Sequence, residues 1–445
     1  MKTECEISLC MIVRNEAKFL PHCLRSVRDI VDEIIVVDTG SSDGSPKIAR
    51  ELGARVYEHE WNDDFSSARN RSIELARGRW ILVLDADEII AERDKRAIAA
   101  LLNGRAAGHL FTYRSYSNDS RDVRWVSNDG SYAEGNGWDG WIAGQVVRLF
   151  RRDTRIRFEG AVHETVDSSI RRCGGKIAAT GIIIHHFHEK KGKEKLREKQ
   201  LQYLRLCERS LRVQAPSAKV FFDMGLIRRH ILNDLRGAAA LHEQALEVDP
   251  DHVDARIELA LLCHLRQDAA GAAEHLAKIF EKAPENAPAW FLCGIILEQR
   301  GKIDKAVHCY ERALAANPHL VDARVNLGAL WAKEGQYEKA RKEWMMVYRL
   351  NPSNAKALLN LGALELREGK TEAAQQFFEK ALASSPESAP LWNNLGVLHA
   401  GTGRLDQARQ AFKRALALDP SREDISRNLA ALNIQAGAAR PSVST

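Results

Sequence analysis

The sequence lacks the motifs that define several common protein classes. It has no GxGxxG and no GxxxxGK[ST], which excludes a typical dinucleotide-binding oxidoreductase and a P-loop nucleotidase. A GxSxG nucleophile elbow is also missing. The eight cysteines form no CxxC pair and no dense cluster, so they predict reduced, mostly buried thiols rather than a disulfide framework or a zinc site.

Long apolar runs are absent as well. No stretch approaches the roughly 18 residues that span a bilayer, and the N-terminus lacks the apolar core of a signal peptide. We therefore expect a soluble, cytoplasmic protein with at most a peripheral membrane association. The net charge of +5 over 445 residues is too weak and dispersed to indicate nucleic-acid binding. This length favours two domains.

A repeat of 34 residues organises the C-terminal half. Proline recurs with this spacing, and glycine and alanine recur in phase with it. Small residues let paired helices pack closely, and proline ends each pair, so the pattern predicts stacked helix pairs of the tetratricopeptide type. The predicted repeats are residues 219–252, 253–286, 287–320, 321–354, 355–388 and 389–422. Their role is either to bind an acceptor or partner protein, or to brace or oligomerise the chain.

The N-terminal half alternates short β-branched runs with helical patterns. This βαβα order predicts a mostly parallel sheet with helices on both faces, in which ligands bind at the carboxyl ends of the strands. Two acidic turns fall at such ends. Asp38 begins the segment DTGSSDGS, where a carboxylate can accept hydrogen bonds from a ribose or a base. Asp85, Asp87 and Glu88 follow the strand WILVL.

Three carboxylates within four residues repel one another unless a cation neutralises them. Oxygen ligands of this kind suit Mg²⁺ or Mn²⁺ bound to a diphosphate, and the alternative is an acidic helix N-terminus. Histidines supply further candidate ligands. His163 precedes Glu164 in RFEGAVHE, and His185 and His186 end the strand-like run GIIIHH. The spacing of these histidines is equally compatible with side chains that face solvent at a domain boundary.

Taken in order, these segments resemble the family 2 glycosyltransferases of the GT-A fold. The resemblance rests on SLCMIVRNE, VDEIIVVDTGSSDGS and WNDDFSSARNRSIELARGRWILVLDADE. VVRLFRR, RFEGAVHE and IIIHHFHEKKGKEKLREKQ are similar to a subgroup that includes lipopolysaccharide-core glucosyltransferases. Similar enzymes carry tetratricopeptide repeats after the catalytic domain, and a related one glycosylates a peptide cysteine.

The resemblance implies a fold of class α/β plus all-α. A GT-A domain, Rossmann-like with a mostly parallel sheet, would cover residues 1–190, and a helical linker residues 191–218. An α-solenoid of six repeats and a capping helix would cover residues 219–437, before a disordered tail at 438–445. The implied activity is transfer of a sugar from a nucleotide-sugar of the UDP-sugar type to a peptide or protein, a lipid-linked glycan or a lipopolysaccharide core.

The resemblance also implies roles for single residues. Asp38 would contact the uracil or ribose, beside the backbone of Val13, Asn15 and Glu16, and Arg69 would lie near the nucleotide. Asp85 and Asp87 match the DxD motif, with Asp87 nearer the metal and Asp85 nearer the ribose. His185 or His186 would complete the Mn²⁺ or Mg²⁺ site. Thr39 stands where many relatives have a second aspartate, so this chain lacks that carboxylate.

An inverting transfer also requires a general base that deprotonates the acceptor. Glu164 is the first choice, with Asp139 in GWDGW and Glu159 as alternatives. Trp125, Trp138 and Trp141 either stack on a sugar or pack in the core. The rival interpretation of the whole chain is a repeat scaffold with a degenerate, non-catalytic transferase domain.

Overall fold

The computed structural model describes residues 5–118, 125–128, 130–162, 164–187, 193–212 and 217–438. The chain divides into two compact units. The first contains the described residues of Met1–Trp125 and Gly130–Pro284, and the second those of Val126–Asp129 and Glu285–Thr445. The predicted boundaries at residues 190, 218 and 437 remain predictions. No helix among the described residues is long and apolar enough to cross a membrane.

The first part of the chain is an α/β domain. Its strands are β1 (Ile7–Val13), β2 (Glu33–Asp38), β3 (Arg55–Glu58), β4 (Trp80–Val83), β5 (Glu88–Ile90), β6 (Gly108–Ser117), β7 (Trp125–Ser127), β8 (Gly140–Arg151) and β9 (Ile177–His186). Its α-helices are α1 (Leu20–Val27), α2 (Ser45–Glu51), α3 (Phe65–Leu75), α4 (Glu92–Leu101) and α5 (Asp167–Arg172). This confirms the α/β class that the alternating pattern predicts.

The sheet is mixed rather than mostly parallel. Its main path runs β3-β2-β1-β4-β8-β6-β9-β5. The first four strands are parallel to their neighbours. Strand β8 then runs antiparallel to both β4 and β6, and β5 antiparallel to β9, while β6 and β9 are parallel. The sequence pattern located the parallel half because its strands are continuous apolar runs, which is typical of strands covered on both faces.

Successive residues of β1 contribute to two hydrophobic cores. Leu9 and Met11 belong to one cluster with Leu82, whereas Cys10 belongs to a second cluster with Val83. All five side chains are buried. Because side chains alternate along a strand, a core on each face requires apolar residues at every position.

The parallel register brings the acidic turns to one edge of the sheet. Val13 pairs with Asp38 at the ends of β1 and β2, and Cys10 pairs with Val83 near the end of β4. The turn that follows β4 carries Asp85 and Asp87 and is therefore at the same edge as Asp38. Glu88 begins β5, and the next helix, α4, starts at Glu92, so this turn is not a helix N-terminus.

The rest of the described chain is helical. Its helices are α6 (Lys193–Ser210), α7 (Ala218–His230), α8 (Leu235–Val248), α9 (Val253–Leu265), α10 (Ala269–Lys282), α11 (Ala287–Gln299), α12 (Ile303–Ala316), α13 (Val321–Lys333), α14 (Tyr337–Leu350), α15 (Ala355–Arg367), α16 (Thr371–Ser384), α17 (Ala389–Gly401), α18 (Leu405–Leu418) and α19 (Glu423–Ala438). From α7 to α18 they form successive pairs, and α19 follows and packs against α18, in the position predicted for a cap.

Each of the last four pairs is closed by a glycine facing an aromatic ring. In each pair a Cβ added to the glycine of the first helix would overlap a ring of the second. The contacts are Gly294 with Tyr310, Gly328 with Trp344, Gly362 with Phe378, and Gly396 with Phe412. In the pair α7–α8 the corresponding ring is the imidazole of His242, which faces Gly225. Glycine is required because no larger residue leaves room for the ring.

The turn within each of these four pairs also uses glycine. Gly301, Gly335, Gly369 and Gly403 follow the first helix of a pair with φ values of 69°, 73°, 77° and 75°. This left-handed conformation ends a helix without strain only when there is no Cβ. The in-phase glycines of the sequence thus have two separate functions, close packing and chain reversal.

Replacing Gly362 with alanine tests the packing function. The added Cβ would lie 2.5 Å from Cε1 of Phe378, so we expect a loss of about 1–3 kcal/mol in the free energy of unfolding. Chemical denaturation followed by circular dichroism measures this loss. Gly401→Ala is the matched control, since no atom lies within 4 Å of its added Cβ and alanine favours a helix. Equal destabilisation by both changes would contradict the packing role.

Candidate active site

Asp38 organises the loop that follows β2. Its Oδ2 atom accepts hydrogen bonds from the backbone N–H groups of Gly40 at 3.1 Å and Ser41 at 2.9 Å. Its Oδ1 atom is buried and has no hydrogen-bond partner within the described residues. The carboxylate therefore uses one oxygen to shape the loop, while the other is buried without a hydrogen-bond partner in the described part of the chain.

The neighbouring loop after β1 is joined to this one by side-chain hydrogen bonds. Asn15 adopts a φ of 58°, and its Oδ1 accepts from the backbone N–H of Ser42 at 2.8 Å. The backbone N–H of Asn15 donates to Oγ of Ser41 at 2.9 Å, and that of Glu16 donates to Oγ of Ser45 at 2.8 Å. The serines of DTGSSDGS thus fix the two loops to each other, which the sequence pattern did not specify.

Arg69 connects the DxD segment to the segment that contains Glu164. It lies on α3 and is only 7% exposed. Its Nη2 donates to Oδ1 of Asp85 at 2.8 Å, and its Nε donates to Oε1 of Glu164 at 2.6 Å. Burial opposes the charge on Asp85, but Arg69 and Arg148 outweigh it and hold the pKa of this carboxyl well below its ordinary value.

Arg148, on β8, supplies the second buried cation. Its Nη2 donates to Oε1 of Glu88 at 2.5 Å and lies 3.4 Å from Oδ2 of Asp85. Burial raises the pKa of the Glu88 carboxyl above its ordinary value, although Arg148 acts in the opposite direction. Sequence reasoning missed Arg148. The available signal was a single charged residue inside the otherwise apolar strand VVRLF.

Asp87 is adjacent to His186. Nε2 of His186, at the end of β9, lies 3.5 Å from Oδ2 of Asp87, and its Nδ1 lies 3.0 Å from Oγ of Ser115. Burial lowers the pKa of this imidazole, but the carboxylate of Asp87 outweighs burial and raises it above the ordinary value. The contact exists because β5 and β9 pair antiparallel, with Glu88 opposite His186.

His185 lies in an aromatic cluster instead. Its Nδ1 is 2.7 Å from the hydroxyl of Tyr116, and its ring packs against Tyr132 with centroids 4.6 Å apart. Burial lowers its pKa to about 3. Successive residues of β9 point to opposite faces of the sheet, so His185 and His186 have different environments. No His185–Asp87 contact is present among the described side chains.

The remaining described candidates have contacts of their own. Asp139 precedes β8, and its backbone N–H donates to Oδ1 of Asn118 at 2.8 Å. Trp125 and Trp141 are buried, and Trp138 is half-buried beside Tyr116. These contacts favour packing for Trp125 and Trp141. Glu159 pairs with Arg172 in an exposed ion pair, and His163 lies outside the described residues.

A pocket of about 180 Å³ opens beside the buried cations. Arg69, Asp85, Arg148, Phe158 and Glu164 line it, together with Asp167 and the apolar residues next to them. Within the described ranges, no three His, Cys, Asp or Glu side chains are grouped so that they could hold a metal ion by themselves.

Comparison with known proteins agrees with this division of the chain. The family described as glycosyl transferase family 2 matches residues 8–172, and tetratricopeptide repeat families match residues 231–290, 291–355 and 365–432. A TPR repeat-containing protein of Synechococcus elongatus is 31% identical over 330 residues, covering 70% of this chain and 76% of that protein. The SPbeta prophage-derived glycosyltransferase SunS of Bacillus subtilis is 27% identical over 224 residues, covering 49% of this chain.

The chain spans about half of SunS, 48% of its length. Among solved structures, that of Pseudomonas aeruginosa PilF is similar, with a TM-score of 0.44 and 18% identity over 49% of this chain and 97% of PilF. The carboxylates at the sheet edge lie within the residues that the transferase family matches, and this match and the glycosyltransferase relatives identify a glycosyltransferase domain. Residues 8–172 belong to glycosyl transferase family 2, and tetratricopeptide repeats follow this domain.

Replacing Arg148 with methionine tests the buried ion pair. Glu88 would then be an uncompensated buried charge, so we expect a loss of about 3–5 kcal/mol in the free energy of unfolding. The double variant Glu88→Gln/Arg148→Met should recover a large part of this loss, because it removes the charge that lacks a partner. Denaturant titrations of the wild type, both single variants and the double variant measure the coupling. Simply additive losses would show that the two side chains act independently.

Proposed function

We propose that the chain transfers a sugar from a UDP-sugar to a polypeptide with inversion at the anomeric carbon, using Mn²⁺ or Mg²⁺. The observation that carries the proposal is the contact between Asp87 and His186 beside the buried Arg69–Asp85 pair. It places a carboxylate and an imidazole at the edge of the sheet where ligands of this fold bind.

Asp38 and the loops around it support a nucleotide site. The unpaired Oδ1 of Asp38 would accept a hydrogen bond from the uracil or a ribose hydroxyl. Val13, Asn15 and Glu16 form the adjacent wall, because the end of β1 pairs with the end of β2. Asp85 would lie nearer the ribose, with its charge fixed by Arg69 and Arg148.

Asp87 and His186 fit the expected metal. Carboxylate and imidazole suit Mn²⁺, and both groups face each other from two different strand ends. We therefore assign the histidine ligand to His186 rather than His185, whose Nδ1 contacts Tyr116. When bound, the metal would neutralise charge on the departing diphosphate. The buried Arg69 and Arg148 add fixed positive charge close to it.

Glu164 is our choice for the base that takes the proton of the acceptor. It lines the pocket next to Arg69 and Asp85. Only its Oε1 is paired with Arg69, which holds the carboxylate in one orientation and leaves Oε2 to accept a proton. Asp139, just before β8, is the alternative, since β8 starts at the same end of the sheet as His186.

The polypeptide acceptor rests on the repeats. Tetratricopeptide arrays present an extended surface that is suited to another chain. The Synechococcus elongatus relative, which is named for its repeats, gives some support to the rival function of a non-catalytic scaffold. The two functions differ in whether the chain binds UDP. Isothermal titration calorimetry with UDP and with a UDP-sugar, each with and without Mn²⁺, measures this binding. A result without any binding would favour the scaffold.

Variants at the metal pair test the proposed site. We expect Asp87→Ala and His186→Gln to lower UDP-sugar turnover by about 100-fold or more, since each removes a group that stabilises the leaving diphosphate. They should also abolish the increase in UDP affinity that Mn²⁺ produces in calorimetry. His185→Gln is the matched control and should retain that increase. Undiminished turnover in Asp87→Ala would contradict the metal assignment.

Glu164→Gln tests the base. We expect it to abolish sugar transfer while UDP binding remains close to that of the wild type, because glutamine keeps the shape and a contact with Arg69 but cannot take a proton. Asp139→Asn is the comparison and should retain transfer. Loss of UDP binding in Glu164→Gln would indicate a structural role. Loss of transfer in Asp139→Asn alone would reassign the base to Asp139.

A further inference from the structure

Two cysteines of the third helix pair are in contact. Cys293 lies on α11 and Cys309 on α12, 16 residues apart in sequence, and their Sγ atoms are 3.5 Å apart. Both are free thiols. A disulfide requires an Sγ–Sγ distance of about 2.05 Å, so the two atoms need to approach by roughly 1.5 Å. The sequence does not reveal this pair through a CxxC motif, because the helix hairpin rather than the local sequence brings the two cysteines together.

The contact follows from the close packing of the two helices. The residue after Cys293 is Gly294, and the residue after Cys309 is Tyr310. Gly294 packs directly on the ring of Tyr310, leaving no room for a Cβ. The cysteines are therefore adjacent to the closest approach of α11 and α12. Ala306 and Ala313 are fully buried in the hydrophobic cluster that contains Tyr310, and their small side chains keep the helices near each other.

The two thiols differ in accessibility and in acidity. Cys293 is half-buried, whereas Cys309 is only 4% exposed. The hydrogen bond that Cys309 donates lowers the pKa of the Cys293 thiol, although burial opposes this effect. The same hydrogen bond and burial raise the pKa of Cys309. Because the thiolate is the nucleophile, Cys293 is the thiol that reacts first with an oxidant.

We propose that Cys293 and Cys309 are a disulfide-forming modification site, which a small disulfide such as oxidised glutathione converts into a covalent link between α11 and α12. The site is separate from the transferase activity and from every residue named for it above. The reactant that this site accepts is a disulfide small enough to reach the half-buried sulfur of Cys293.

The reaction balances in two exchanges. The Cys293 thiolate attacks one sulfur of glutathione disulfide, so a mixed disulfide forms and one glutathione leaves. Cys309 then loses its proton and attacks Sγ of Cys293, which releases the second glutathione and forms the Cys293–Cys309 bond. Two protein thiols are oxidised, and one glutathione disulfide is reduced to two glutathione molecules.

The link would restrict the unfolded chain as well as the native one. It closes a loop that contains the turn at Gly301, and such a loop lowers the entropy of the unfolded state. We therefore expect the oxidised form to melt at a higher temperature than the reduced form. Only repeats with cysteine at both positions have this property. Corresponding positions of the next pair are Leu327 and Glu343, which cannot be linked.

The test equilibrates the full chain with glutathione buffers, alkylates free thiols and digests with trypsin. Cys293 and Cys309 fall in separate peptides, residues 283–300 and 306–312, each with one cysteine. We expect these two peptides to be joined and two hydrogens lighter than their sum. The joined fraction should depend on [GSSG]/[GSH]², because two glutathione molecules are released, whereas a mixed disulfide depends on [GSSG]/[GSH].

Three variants control the test. Cys293→Ser should leave Cys309 reduced, and Cys309→Ser should stop at the glutathione adduct of Cys293. Cys263→Ser, at another half-buried cysteine, should form the link as the wild type does. Circular dichroism confirms that each variant is folded. A wild type that yields only single glutathione adducts would overturn the proposal, whereas a joined product that does not raise the melting temperature would contradict only the expected gain in stability.

Discussion

Two buried guanidinium groups allow the carboxylates that follow β4 to lie close together. Asp85, Asp87 and Glu88 follow one another within a single turn, and mutual repulsion would open that turn without a neutralising charge. Arg69 and Arg148 reach it from α3 and β8, two elements far apart in sequence. Ion pairs thereby join the turn that contains Asp85 and Glu88 to the segment of Glu164 and to the antiparallel strand β8. These contacts add to the pairing of the strands in the sheet.

Sequence reasoning predicted the features that depend on local pattern. The parallel strands were readable because they are continuous apolar runs, and the helix pairs because glycine, alanine and proline recur every 34 residues. The acidic turns could be placed at strand ends for the same reason. The antiparallel half of the sheet could not be predicted, since the pairing of β8 with β4 and β6 joins segments separated by long stretches of chain.

In the candidate site, too, local motifs predict some residues, whereas contacts between distant segments could not be predicted. Asp38, Arg69, Asp85 and Asp87 were named because each belongs to a recognisable motif. The choice between His185 and His186 depends on which face of β9 each occupies, and adjacent positions in a sequence do not reveal this. Arg148 was missed because the role of a cation inside an apolar strand cannot be assigned until its partners are known. The Cys293–Cys309 contact depends on helix packing in the same way.

One ring in the solenoid differs from its counterparts. His242 occupies the place that tyrosine, tryptophan or phenylalanine takes in later pairs, and burial lowers its pKa to about 3. Both ring nitrogens lack a hydrogen-bond partner within the described residues. The unfolded chain binds a proton near the ordinary pKa of about 6.5, while the folded chain does not. The stability that this group contributes is complete above this pH and decreases as the solution is acidified towards pH 3, so protonation of His242 weakens the pair α7–α8 in acid.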